Sequence, residues 1–173
     1  MVCAQEQQPT PHPTPLTAPP PLKTIPRVER QKIETTLDPK QRLKQTMEFA
    51  VLHLAAAEKH TTNGNYEAAS YEVGTYHALV QTALTFLATM KRDSNKTRDL
   101  YKRLELALRA DGPRLTAMRR VTPIEFAVWI KQAEDFARES RTEALNSFYG
   151  HTVVRDPEKT NEKPKESTPP KSN

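Results

Sequence analysis

This sequence predicts an all-α protein, an antiparallel bundle of about four helices, and three observations predict it. Prolines avoid the middle of the chain: eight of the fifteen precede residue 27, four follow residue 156, and only Pro39, Pro113 and Pro123 lie between. Apolar residues in that middle recur at alternating spacings of three and four, the period of one helix face, and no stretch alternates with the period of two that a strand needs. Start and stop signals punctuate the same region at helical intervals. The 173 residues fit one domain, and residues 38–150 suffice for one modest core.

The elements follow in chain order. Residues 1–26 include "PTPHPTPLTAPPPL" and read as a disordered, Pro-rich leader with polyproline-II character. Its "PPPL" has the composition of a ligand for a Pro-reading domain, although a plain spacer accounts for it with fewer assumptions. Residues 27–37 read as a short helix or linker. Asp38 then caps a helix with Pro39 at its first position and Gln41 as capping-box partner. Leu43, Met47, Ala50, Leu54 and Ala57 form its stripe, and Phe49, Leu52 and Ala56 widen it, which predicts burial on more than one side.

Gly64 is placed to close that helix in the left-handed conformation, and Asn65 to cap the next. Tyr66, Ala69, Val73, Tyr76, Val80, Ala83, Leu87 and Met90 then keep the three-four spacing without a miss, a heptad seam of coiled-coil type. A third helix starts near Asp93 or Ser94 and carries Leu100, Leu104 and Leu108. "DGP" at 111–113 predicts a kink or a break, with Leu115 and Met118 on the same face beyond it. "TPIE" reads as a capping box, Thr122 capping, Pro123 starting and Glu125 reaching back. The last helix carries Phe126, Ile130, Ala133, Ala137, Ala144 and Phe148 and ends at Gly150. Residues 151–173 mix charge, Pro and Ser and read as a disordered tail. Trimming residues 1–25 and 155–173 is therefore expected to leave stability nearly unchanged.

Three layouts resemble known families. "GNYEAA" resembles the turn of a tetratricopeptide repeat, but no Gly or Tyr recurs at matching offsets 34 residues on, around Arg98, so the resemblance implies one hairpin and no array. The same stretch resembles the HEPN helix pair. The ribonucleases of that family pair an Arg with a His a few residues later, and no Arg here precedes a His at that interval. Over roughly residues 30–150, "LDPKQRLKQTMEFAVLHLAAAEKHTTNGNYEAASYE", "RLELALR" and "ALNSFYG" resemble in layout a group of uncharacterised bacterial helical proteins, usually exported. That resemblance implies the fold and an exported location, and no activity.

Chemistry-bearing residues are sparse. His53 and His60 lie seven apart on one helix face, and hairpin geometry brings His77 near the level of His53. No Glu-x-x-His pair accompanies them, so they read as interfacial histidines with neither metal nor catalytic duty. Cys3 is the only cysteine, which excludes an internal disulfide and a paired-thiol site, and four glycines make no phosphate loop. Glu134, Asp135, Glu139 and Glu143 interleave with Arg138 and Arg141 as a solvated helix face. Residues 91–120 hold ten Lys and Arg against four acidic residues, +6, with Arg98, Lys102 and Arg109 opposite the leucines. These three are the candidate anion- or partner-binding residues, with Tyr101 the one nearby stacking ring.

The function expected from this is a non-enzymatic helical interaction or structural module of the bacterial cell envelope, with no cofactor and no catalytic residue. Its partner is a protein, or a second copy in a homo-oligomer; nucleic acid is disfavoured and no membrane span is present. The alternative is a nucleic-acid-binding or HEPN-like domain. Val2 and Ala4 match the small-residue positions of a signal-peptidase site before Gln5. That match leads to the expectation that Met1 lies inside a longer signal peptide and the protein works outside the cytoplasm, periplasmic or secreted; failing that, it is cytoplasmic.

Overall fold

The computed structural model describes residues 17–91 and 94–149. It consists of five helices: α1 (Arg27–Thr35), α2 (Pro39–Thr62), α3 (Tyr66–Ala88), α4 (Asn95–Val121) and α5 (Ile124–Tyr149). The described residues contain no strand, and the protein is all-α. The expectations for Cys3, Gly150 and the charged tail lie outside the described residues.

The local signals explain most boundaries. Asp38 accepts a hydrogen bond from the N–H of Gln41 at 2.9 Å, satisfying one of the donors that a helix start leaves unpaired. Gly64 has φ +73°, where a side chain would be strained, and Asn65 accepts from the N–H of Ala68 at 3.4 Å. Ser94 caps α4 through the N–H of Thr97 at 3.1 Å.

One boundary expectation is corrected and one is narrowed. The Thr122 hydroxyl donates back to the Met118 carbonyl at 2.8 Å, so Thr122 closes α4; α5 begins at Ile124, where the Pro123 carbonyl accepts from Phe126 and Ala127. Pro113 does not break its helix either: α4 runs 27 residues through it. Pro lacks the N–H that would bond the Arg109 carbonyl. Gly112, having no Cβ, relieves the crowding that Pro imposes on the residue before it. Packing supplies the rest, since Leu108 and Leu115 on either side are 2% and 0% exposed.

α2 and α3 form one antiparallel hairpin and α4 and α5 another, and contact is heaviest within each. The hairpins lie side by side, so that α3 neighbours α5 and α2 neighbours α4. Ring contacts of Tyr66 with Phe126 and His77 with Phe136 show that α3 and α5 advance in the same direction. The core between them centres on Tyr76, Leu54, Leu79, Leu87, Leu100, Leu104 and Leu115, all fully buried. Ala50, Ala57, Ala69 and Ala83 let α2 and α3 approach closely.

The leader is the largest departure from expectation. Residues 17–26 form neither helix nor strand, Pro26 at their end has φ −52° and ψ 139°, near polyproline II, and the segment lies on the bundle. Ala18 donates its N–H to the Glu125 carbonyl at 3.1 Å and accepts from the Trp129 indole N–H at 2.8 Å. Leu22 crosses α3 at Gly74, and Ile25 enters the core at 9% exposure. Pro26 then precedes α1, which packs on α2 through Ile33 (2% exposed) and a Thr36–Gln45 hydrogen bond of 2.9 Å. Residues 18–25 therefore contact the bundle, and contacts of this kind predict that their removal lowers stability.

Candidate functional site: an uncovered groove between α2 and α4

α2 and α4 meet along a shorter seam than the helices within each hairpin, and the gap is a groove of about 720 Å³. Leu43 and Met47 form its floor, Val51 and Leu52 one wall and Leu106 with Ala107 the other; Lys40, Lys44, Glu48 and Arg103 stand on the rim. The floor is buried, but Leu52 is 63% exposed, Leu106 51% and Val51 40%. This corrects the expectation that Leu52 joins a buried stripe. Each such side chain forgoes roughly half of the ~1.5–3 kcal/mol that full burial gives. Lys44 pairs with Glu48 at 3.7 Å and Arg103 with Asp99 at 2.9 Å, exposed contacts worth about 0–1 kcal/mol each.

Above the groove a polar network crosses the bundle. The Tyr76 hydroxyl donates to Asp111 Oδ2 at 3.2 Å, Arg114 lies 3.7 Å from Asp111 Oδ1, and Arg114 grips Glu58 with two bonds of 2.8 Å. Burial pushes the Asp111 carboxyl above the usual range, against the bond from Tyr76 and the charge of Arg114. Burial, reinforced by Asp111, likewise raises the Tyr76 phenol. At 1% and 0% exposure, Asp111 and Tyr76 offer a substrate no access; the network ties α2, α3 and α4 together. The sequence held a signal for it, since Leu104, Leu108, Asp111 and Leu115 share one stripe and one member is charged.

The histidines do not converge. His53 faces Glu72 through Nδ1 and Glu29 through Nε2 at 3.1 Å, joining α1, α2 and α3. The carboxylates take opposite ring nitrogens, so they do not share a coordination point. His77 turns away and stacks on Phe136, ring centroids 3.9 Å apart. Burial, with the charge of Lys23, lowers its pKa to about 4. His60 sits in the last turn of α2, where its carbonyl accepts from the Asn65 N–H at 2.9 Å. Among the described residues no group of three or more His, Cys, Asp or Glu is placed to hold a metal ion.

The basic residues are not gathered either. Arg98 bonds to Asn95, Lys102 lies 5.7 Å from the Phe148 ring, and Arg109 lines an α4–α5 cleft with Arg138 and Arg141. Arg98 and Arg109 are eleven positions apart, roughly 16 Å along the helix. Tyr101 is 1% exposed and offers no stacking face. Glu105 is buried against α5, where Arg141 bonds it at 2.8 Å. Glu134, expected on a solvated face, bonds Thr116 at 2.7 Å and Arg119 at 2.8 Å. Its burial opposes ionisation, but these two bonds and the nearby arginines hold its carboxyl below the usual range.

Compared with known protein families, with curated proteins and with solved structures, the chain matches none. No described helix is long and apolar enough to cross a membrane. Among the described residues the fold is an all-α bundle whose α2–α4 seam is left uncovered.

Proposed function

We propose that the chain is a non-enzymatic helical interaction module, and that the α2–α4 groove receives an amphipathic helix of a protein partner. One observation carries the reading: Val51, Leu52 and Leu106 line a groove that no other part of the described chain covers. A helix laid between α2 and α4 would complete the seam with its own apolar stripe, the helix-in-groove mode of recognition. Lys40, Lys44 and Arg103 against Glu48 favour a partner with acidic residues flanking that stripe. The buried Tyr76–Asp111 network and the separated histidines lend no support to an enzymatic role. A location in the bacterial cell envelope belongs to this proposal on the layout resemblance alone.

The nucleic-acid alternative has less behind it. Arg98, Lys102, Arg138 and Arg141 already have partners within the chain, and the stacking ring expected beside them is buried.

Site-specific photo-crosslinking in cells tests the proposal. A crosslinker at position 52 or 106 is expected to capture a helical, acid-flanked segment of another protein, while one at the exposed Thr142 of α5, outside both grooves, captures nothing comparable. A crosslink between two copies of this chain would replace the partner with a homodimer. Equal capture at all three positions would refute the groove reading.

A further inference from the structure

The chain's own leader covers part of the groove between α3 and α5, and the covered part has the construction of a peptide site. Ala18 is held on both sides of its backbone, by the Glu125 carbonyl at 3.1 Å and the Trp129 indole N–H at 2.8 Å. A Cβ on Gly74 would stand 2.5 Å from the Leu22 carbonyl oxygen and 3.0 Å from Pro21, so the glycine makes room for an extended backbone crossing α3. Ile25 is buried, whereas Pro19, Pro20, Leu22, Lys23 and Thr24 face solvent. The inward positions 18, 21 and 25 are spaced by three and four. A polyproline-II strand turns once every three residues, so Ala18 and Pro21 fall on one side of it, and Ile25 comes one residue past the next turn.

We propose that the α3–α5 groove is a binding site for an extended Pro-rich peptide, occupied in cis by residues 18–25. It reads a small residue, a proline three positions on, and an aliphatic residue four beyond that. Main-chain hydrogen bonds and an indole donor need no particular side chain, and Pro-rich segments lose little entropy on docking because they are already extended. The cis segment is linked through α1, so it competes at an effective concentration of order millimolar. A second Pro-rich peptide enters when the cis segment is weakened or when it is present in large excess.

Trp129 is the only tryptophan, and its indole contacts the leader, so its emission reports occupancy directly. The experiment uses the full chain carrying Ile25→Asp, titrated with a synthetic peptide of residues 17–26, which contains no tryptophan. The variant's emission is expected to lie to the red of the parent's, and the peptide to reverse that shift saturably. A peptide of the same residues in scrambled order should leave it unchanged, as should the native peptide once Gly74→Ala is added. If Ile25→Asp lowers the helical circular dichroism, Ala18→Pro replaces it; that change removes the Ala18 N–H donor and leaves Ile25 in place. Absence of any peptide response, or an equal response to the scrambled peptide, would overturn the proposal.

Discussion

Gly74 shows how tertiary context reverses a local rule. In an isolated helix, Gly→Ala stabilises by roughly 1 kcal/mol because the glycine's backbone freedom is removed from the unfolded chain. Here the added carbon would stand 2.5 Å from a backbone oxygen that has no rotamer to escape by. Gly74→Ala is therefore expected to destabilise by about 1–3 kcal/mol, the range for overpacking, and to move Trp129 emission to the red. Urea denaturation followed by fluorescence checks both. His77 gives a prediction in pH. Its folded pKa is lowered to about 4 from an ordinary 6.5, so between those values the unfolded chain binds more protons. Stability must fall as the pH drops through that window. Asp111, pushed upward by burial, acts in the opposite sense, but it does so equally in His77→Gln. The stability of the parent relative to His77→Gln should thus decline from pH 6.5 towards 4, and a constant difference would refute the burial argument.

Among the elements, α4 tests whether packing overrides backbone chemistry. Pro113 is exposed and leaves the Arg109 carbonyl without its helical donor, yet the helix passes through. Pro113→Ala restores that bond, worth up to about 3 kcal/mol, and returns about 0.4–1 kcal/mol of entropy to the unfolded chain. A net gain of about 1–2 kcal/mol is expected in chemical denaturation, and a loss would mean that Pro113 has a structural role. The helices themselves were legible: Val73, Tyr76, Val80, Ala83 and Leu87 are all buried as the seam predicts, and the Asp38, Gly64 and Asn65 signals fall at element ends. Thr122 was misread because a hydroxyl between two helices can serve either, and it serves the earlier one. The leader was illegible for a different reason. Its composition describes a spacer, and what holds it is a tryptophan 111 residues away and one glycine of α3.

At the scale of the whole molecule, periodicity shows which side chains seek burial but not which neighbour arrives to bury them. Leu52 illustrates the gap: it was read as widening a buried stripe, and no helix of the described chain covers it. The central claim is that this face is a surface awaiting a partner and not part of the core. Thermal denaturation of the double variant Leu52→Glu, Leu106→Glu tests that claim most directly, with Val80→Asp as the core comparison. Val80 is 0% exposed, so its variant buries an unpaired charge and should lose about 4 kcal/mol or more, or fail to fold. The groove residues are about half exposed or more, so their charges remain solvated, and the double variant should melt within a few degrees of the parent. A collapse of its melting temperature towards that of Val80→Asp would show the seam to be core and contradict the account.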